Sequence, residues 1–154
     1  MDSTLGSLLE EPWEGSGGMT EQSDDTDGFA VLVVDDDPTL RDLFADLLRE
    51  HGWRVTTATD GAEAVRAIRQ SRPDLVLMDY EMPVLDGLGA ARQIRSLPGP
   101  PVPMIMISSR QDIATREAAL AAGIGRYLVK PVSPALLLAI VREHAAARRP
   151  PQDT

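Results

Sequence analysis

Residues 75–83 read Leu-Val-Leu-Met-Asp-Tyr-Glu-Met-Pro, and this stretch decides how the rest of the chain is organised. Four consecutive apolar residues are typical of a strand buried on both faces, as in a parallel sheet covered by helices. Asp79 stands at the carboxyl end of that strand, where open α/β sheets place their ligand sites. Taken alone, Asp79 is explained better as an aspartate that begins a turn. Its interpretation therefore depends on what the other strand ends carry.

Four further apolar segments predict strands, and helical patterns alternate with all five. The predicted strands are 29–34, 53–58, 75–78, 104–107 and 125–129. The predicted helices begin at Pro38, at 60–61, near Leu88, near Asp112 and at Pro134, which Ser133 caps. This alternation implies right-handed crossovers and an α/β fold with a doubly wound, five-stranded parallel sheet and five helices.

Composition excludes several classes of protein. The chain has 154 residues, which suits one domain, and it has no cysteine, so disulfides, Cys-based zinc sites and thiol catalysis are excluded. No apolar stretch approaches the roughly 20 residues of a membrane span, and the N-terminus has no signal pattern. We therefore expect a cytoplasmic protein that does not bind a membrane.

The charge of the chain is unevenly distributed. Residues 1–28 contain eight acids and no Lys or Arg, whereas the remainder contains 16 acids and 15 bases. We expect residues 1–28 to form a disordered acidic extension, residues 29–147 the folded domain and residues 148–154 a flexible tail. A nearly neutral domain has no basic stripe for nucleic acid, so direct DNA binding is not expected.

Polar side chains follow four of the predicted strands at the points where these strands end. Asp35 and Asp36 follow the first, Asp79 the third, Ser108 the fourth and Lys130 the fifth. Because carboxyl ends of parallel strands meet at one edge, these side chains can converge on one pocket. Three neighbouring carboxylates repel each other, and oxygen ligands alone suit Mg²⁺ or Mn²⁺. A carboxylate, a hydroxyl and an ammonium beside such an ion suit the binding of a phosphoryl group.

The chain closely resembles the response-regulator receiver domains of two-component signalling, which have a flavodoxin-like fold. The residues that carry the resemblance are 33–38, 79–83 with Asp86-Gly87, 106–109 and 127–131. The resemblance spans about Phe29 to Ala147. It implies a phosphoprotein that takes a phosphoryl group from a sensor histidine kinase or histidine phosphotransfer protein. It implies no enzyme activity beyond magnesium-dependent self-phosphorylation and self-dephosphorylation.

The resemblance assigns a role to each matching position of the pocket. It implies that Asp79 is the phosphoacceptor and also a Mg²⁺ ligand. Asp36 would ligate the ion directly, Asp35 mainly through water, and Glu81 through its backbone carbonyl. Ser108 would bond a phosphoryl oxygen, and Lys130 would contact the phosphate, with a cis bond to Pro131. Asp37 would cap a helix instead of binding the metal.

Three further positions concern the switch and the lifetime of the signal. The resemblance places Tyr127 at an aromatic switch position, where phosphate would draw Ser108 inward and let the ring rotate toward the core. Packing alone also explains a tyrosine at the centre of a strand. Glu81 and Arg110 lie two residues beyond the acceptor and the hydroxyl. We expect them to flank the mouth of the pocket, where their opposite charges can pair and their side chains slow hydrolysis. The alternative is that both side chains simply point into solvent.

Two other functions compete with this interpretation. Asp35-Asp36-Asp37-Pro38-Thr39 also resembles the opening motif of haloacid-dehalogenase-type phosphohydrolases, with Asp35 as nucleophile and Asp37 as acid/base. That reading lacks an acidic metal-binding pair after Lys130 and leaves Asp79 unexplained. The second alternative is a receiver-like binding module that takes no phosphate, although no pocket residue is missing here.

The output of the protein is predicted to pass through a partner. Only one helix and a short tail follow Lys130, so we expect a stand-alone, single-domain receiver of the chemotaxis type that acts on an output protein. The alternative is that the chain is a piece of a longer regulator. Receivers that dimerise through their fourth and fifth helices often carry Asp just before the switch tyrosine. Gly125-Arg126 stands there instead, so we expect a monomer.

Overall fold

The computed structural model describes residues 28–148, and strand and helix alternate through them. The strands are β1 (Ala30–Val34), β2 (Arg54–Ala58), β3 (Leu75–Asp79), β4 (Met104–Ser108) and β5 (Arg126–Val129). The helices are α1 (Pro38–Glu50), α2 (Gly61–Gln70), α3 (Gly87–Arg95), α4 (Ile113–Ala121) and α5 (Pro134–Arg148). This is the predicted α/β alternation, which is therefore confirmed.

The five strands form one parallel sheet in the order β2-β1-β3-β4-β5. The order reverses between β1 and β3, and such a switch point leaves a crevice beyond the carboxyl ends of the two strands. Val34 lies opposite Met78, and Asp79 lies opposite Ile107. This register brings Asp35, Asp79 and Ser108 to the same edge of the sheet.

Side chains alternate between the two faces of the sheet and form two separate cores. One core joins the sheet to α2, α3 and α4 through residues that include Leu32, Val76, Met106, Ile68 and Ile94. The other joins it to α1 and α5 through residues that include Val33, Leu77, Ile105, Leu48 and Ile140. All five residues of β3 and of β4 are buried. The unbroken apolar runs therefore mark central strands, as predicted.

Aspartate side chains cap the first four helices. Asp37, Asp60, Asp86 and Asp112 each accept a hydrogen bond from a backbone N–H in the first turn of the following helix. Ser133 Oγ accepts from Leu136 N at 3.1 Å at the start of α5. The capping roles predicted for Asp37 and Ser133 are confirmed. Asp112, predicted as the first residue of α4, is its cap.

The predicted boundaries need small corrections. Trp53 and Gly125 precede β2 and β5 instead of opening them. Arg148 was assigned to the tail, but it ends α5, and its Nε donates to Asp74 Oδ1 at 2.9 Å. The predictions for residues 1–27 and 149–154 lie outside the described residues. Within residues 28–148, no helix has the length and apolar character needed to cross a membrane.

Candidate functional site

Asp79 lies at the carboxyl end of the central strand with only 9% of its surface exposed. Its Oδ1 accepts hydrogen bonds from Tyr80 N at 2.8 Å and from Lys130 Nζ at 3.3 Å. Burial and the neighbouring Asp35 raise the pKa of Asp79 to about 6, although Lys130 acts in the opposite direction. The structure therefore holds this carboxylate in surroundings that disfavour its negative charge unless a cation is near.

Lys130 connects the two buried carboxylates of the site. Its Nζ lies 3.4 Å from Asp35 Oδ2 and 3.3 Å from Asp79 Oδ1. Burial by itself would lower the pKa of Lys130, but the two carboxylates outweigh it and hold this pKa above its ordinary value. The side chain is thus a fixed ammonium at the end of β5. Its peptide bond to Pro131 is cis, as the resemblance implied.

Asp35, Asp36 and Asp79 form an acidic cluster. Each offers a carboxylate oxygen, and the three oxygens lie within 4.8 Å of one another. The single positive charge of the Lys130 ammonium does not balance the negative charges of three carboxylates that lie this close together. An all-oxygen donor set suits a hard cation such as Mg²⁺, and burial together with the neighbouring Asp35 carboxylate raises the pKa of Asp79. The residues therefore fit the predicted magnesium ion.

The orientation of Asp35 is set by the turn between β1 and α1. Its Oδ1 accepts from Asp37 N at 2.9 Å, and its own carbonyl accepts from Arg41 Nη1 at 2.9 Å. Asp35 is buried, whereas Asp36 is exposed. Asp37 turns away to cap α1 through Thr39 N. Consecutive aspartates thus divide into two members of the cluster and one structural cap.

Ser108 ends β4 next to the acceptor strand and is buried. Its Oγ accepts from Arg110 N at 3.0 Å, so the hydroxyl hydrogen is free to be donated elsewhere. Asp79 pairs with Ile107, the residue before Ser108, in the sheet register. The hydroxyl therefore belongs to the same edge as the carboxylate cluster.

Gly87 allows α3 to begin directly against the acceptor strand. A Cβ at this position would lie 2.2 Å from the Asp79 carbonyl oxygen, a separation that no side chain tolerates. Gly87 N donates to Tyr80 O at 2.7 Å and closes the loop after β3. The Asp86-Gly87 pair thus combines a cap with a close backbone approach, which holds the residue after Asp79 in place.

Glu81 and Arg110 form an ion pair, as predicted. Arg110 Nε lies 2.7 Å from Glu81 Oε2, and the guanidinium carbon lies 5.1 Å from the centre of the Tyr80 ring. The pair and the ring join the loop after β3 to the loop after β4. Glu81 directs its carboxylate to Arg110 and does not belong to the acidic cluster. Its assignment as a carbonyl ligand of the metal stays a prediction.

Tyr127 lies inside the protein in this structure. Only 6% of its surface is exposed, and its hydroxyl donates to Arg110 O at 2.9 Å. Arg116 covers the ring, with its guanidinium carbon 5.1 Å from the ring centre. The ring occupies an inward position, and its rotation on phosphorylation stays a prediction. Packing against the core explains this position without a phosphoryl group.

The sequence-based prediction missed one residue of the site, Tyr80, and one signal for a residue that it did predict, Lys130. Tyr80 contributes its ring to Arg110, and its position directly after Asp79 was the available signal. Lys130 is the only lysine in the chain, among 14 arginines. A compact ammonium fits between two buried carboxylates where a planar guanidinium would need more room. The presence of a single lysine among so many arginines was therefore a further indication that Lys130 has a specific role in the site.

Comparison with known proteins identifies the family. The family model of the response regulator receiver domain matches residues 31–142, which include all the strands except Ala30 and all the clustered side chains. The chain belongs to the response-regulator receiver family. It is a receiver domain of two-component signalling, with the five-stranded parallel sheet that was predicted. Membership of this family removes the main support for a dehalogenase-type phosphohydrolase.

The relatives of this receiver domain are longer proteins. The transcriptional regulatory protein PrrA of Mycobacterium tuberculosis is 44% identical over 115 residues, which are 73% of this chain and 48% of PrrA. The chain spans about half the length of the curated relatives it matches. The prediction of a stand-alone regulator therefore stays a prediction.

Solved receiver domains share the fold of this one. The receiver domain of sensor histidine kinase PA1611 from Pseudomonas aeruginosa is 37% identical, with a TM-score of 0.69 over 77% of this chain and 98% of that one. Its crystal structure contains a magnesium ion coordinated in the active-site cleft. The BeF3-activated N-terminal receiver domain of Klebsiella pneumoniae RstA is 31% identical, with a TM-score of 0.69 over 78% of this chain and 99% of that one.

Proposed function

We propose that this receiver domain accepts a phosphoryl group on Asp79 from a phosphohistidine of a sensor kinase or phosphotransfer protein. The observation that carries the proposal is the position of Asp79, buried at the end of β3 between Lys130 and two further carboxylates. A carboxylate at a strand end, beside a fixed ammonium and a set of oxygen ligands for a cation, suits a nucleophile better than a structural acid.

The transfer exchanges one bond to phosphorus for another. A carboxylate oxygen of Asp79 attacks phosphorus, the bond from phosphorus to the histidine nitrogen breaks, and the imidazole leaves with the electron pair. Oδ1 accepts from Tyr80 and Lys130, so we assign the attack to Oδ2. The product is an acyl phosphate on Asp79, and the donor histidine is regenerated.

The surrounding side chains stabilise charge on the phosphoryl oxygens. Lys130 carries a full positive charge next to Asp79, and the Ser108 hydroxyl has its hydrogen available for donation. Asp35, Asp36 and Asp79 would hold Mg²⁺, which when bound supplies the positive charge that reduces repulsion between the carboxylates and the phosphoryl group. Positioning and electrostatic stabilisation are what phosphoryl transfer requires of a protein.

Intact mass measurement after treatment with acetyl phosphate and Mg²⁺ tests this proposal. The wild-type chain should gain the mass of one phosphoryl group, and Asp79→Asn should gain none. Asp37→Asn is the matched control, because Asp37 belongs to the same acidic run as the metal ligands but caps α1. It should be phosphorylated as the wild type is.

The same experiment separates the receiver from the remaining alternatives. Phosphate on Asp35 would support the phosphohydrolase reading and contradict ours. No mass gain in the wild type, with acetyl phosphate or with a phosphorylated kinase, would support the binding module that takes no phosphate. Undiminished phosphorylation in EDTA would contradict the assigned role of the acidic cluster.

We also propose that output passes through a surface next to Tyr127. Arg116 on α4 covers the Tyr127 ring, and Ile113 on the same helix is 71% exposed. A change in the pocket reaches this surface through Arg110, whose backbone contacts both Ser108 and Tyr127. Beryllofluoride, a phosphoryl mimic, should alter the NMR signals of α4 in wild type but leave Asp79→Asn unchanged. Unaltered α4 signals in the wild type would contradict this surface.

A further inference from the structure

A groove lined by arginines lies at the edge of the sheet opposite the carboxylate pocket. It has a volume of about 430 Å³, and Arg54, Arg72 and Arg148 line it together with the single acid Asp74. All three arginine side chains are exposed. Arg54 Nη2 donates to Gly28 O at 3.1 Å, so the groove begins at the first described residue of the chain.

The residues immediately before Gly28 have the opposite charge. Residues 1–27 contain eight acids and no Lys or Arg, and three of the acids, Asp24, Asp25 and Asp27, precede Gly28 directly. Even in a fully extended chain, Asp24 lies at most about 14 Å from Gly28. The three acids are therefore tethered within reach of the arginines. The short tether also gives them a high effective concentration at the groove.

We propose that the acidic N-terminal segment, residues 1–27, docks on this arginine-lined groove through Asp24, Asp25 and Asp27. Charge complementarity and the exit point at Gly28 carry the assignment. The opposite edge of the sheet presents Asp35, Asp36 and Asp79 and would repel the segment. Docking at the groove keeps the carboxylates of Asp24, Asp25 and Asp27 away from the acidic cluster. The inference does not depend on phosphorylation.

The arginines also make contacts within the domain, but these leave donors available. Arg148 uses Nε to bind Asp74, and Arg54 uses Nη2 to bind Gly28. A guanidinium has five N–H donors, so both retain most of theirs for further carboxylates. Arg72 donates to the carbonyls of Pro98 and Pro100 and has a larger structural role. Arg54 is therefore the arginine to change.

A single spin label tests the docking in the full chain. The chain has no cysteine, so Ser16→Cys takes one nitroxide at a defined position. Amide NMR signals of groove residues 54–56, 70–72 and 74 should weaken more than those of α3 and α4. In about 1 M salt, where the Debye length falls to about 3 Å, this preference should disappear.

Three variants separate docking from simple tethering. With the same label, Asp24→Asn, Asp25→Asn and Asp27→Asn combined should lose the preferential weakening, and these changes lie outside the described domain. Arg54→Glu should also lose it, whereas Arg66→Glu, an exposed arginine of α2 that does not line the groove, should keep it. Equal weakening in the neutralised and acidic segments, or weakening centred on another surface, would overturn the proposal.

Discussion

Arg110 Nε lies 2.7 Å from Glu81 Oε2, so the loop after β4 is bonded to the loop after β3. The Tyr80 ring lies against the same guanidinium. An exposed ion pair of this kind adds little to stability. We predict that its effect is steric, with two long side chains and a ring that narrow the path of water to Asp79.

Replacement of Arg110 should shorten the lifetime of the phosphorylated state. We expect Arg110→Ala to lose phosphate several-fold faster, because water then has freer access to the acyl phosphate. The bond from the backbone N–H of residue 110 to Ser108 is retained in this variant. Decay of the phosphorylated protein in excess Mg²⁺ measures the effect, with Arg92→Ala on α3 as the control. Equal or slower decay in Arg110→Ala would show that Arg110 does not restrict access.

The hydroxyl of Tyr127 should contribute to stability. Tyr127→Phe removes its hydrogen bond to Arg110 O, and we expect the free energy of unfolding to fall by about 0.5–1.5 kcal/mol. Urea unfolding should show a lower midpoint with an unchanged slope. The control is Tyr80→Phe, which removes the corresponding hydroxyl from the half-buried ring beside Arg110. Equal midpoints for the two variants would contradict a stabilising role for this bond.

Magnesium should stabilise the domain through the acidic cluster. The three carboxylates within 4.8 Å of one another repel in EDTA, and an ion that binds only the folded state relieves this repulsion. At about 100 times the dissociation constant, the gain is about 2.7 kcal/mol. Thermal unfolding should show a higher midpoint in Mg²⁺ than in EDTA for the wild type, and a smaller difference for Asp79→Asn. The same increase in both proteins would mean that Mg²⁺ acts elsewhere.

Glu63 should stabilise the start of α2 in a pH-dependent way. Its Oε1 accepts from Thr59 N at 2.6 Å and from Thr59 Oγ1 at 2.7 Å. The Thr59 N–H bond is the main reason that the pKa of Glu63 is lowered. A lowered pKa means stability that is present above about 4.5, the unfolded value, and is lost as pH falls through the folded value.

We therefore expect Glu63→Ala to reduce the free energy of unfolding by about 0.5 kcal/mol at pH 7, because the bonds are partly exposed. The difference from the wild type should shrink at acid pH. Glu117→Ala, at an exposed position of α4, should show no such difference. A constant difference across this pH range would indicate that the Glu63 carboxylate is not responsible.

Local patterns in the amino-acid sequence were enough to predict the class of fold and most residues of the site. Unbroken apolar runs at 75–78 and 104–107 predicted central strands, because a strand covered by helices on both faces has no position for a polar side chain. Polar residues at the strand ends then had to meet at one edge, since parallel strands share their direction. For this reason Asp35, Asp79, Ser108 and Lys130 were predicted together from local patterns alone.

The contacts between particular side chains could be read only from the tertiary structure. The strand order, the inward position of Tyr127 and the ring of Tyr80 over Arg110 depend on contacts between residues distant in sequence. Arg148 was misplaced in the tail because its partner, Asp74, is 74 residues away. Hydrophobic periodicity reports which face of an element is buried, but it carries no information on which side chain lies opposite. That choice follows from packing the whole domain.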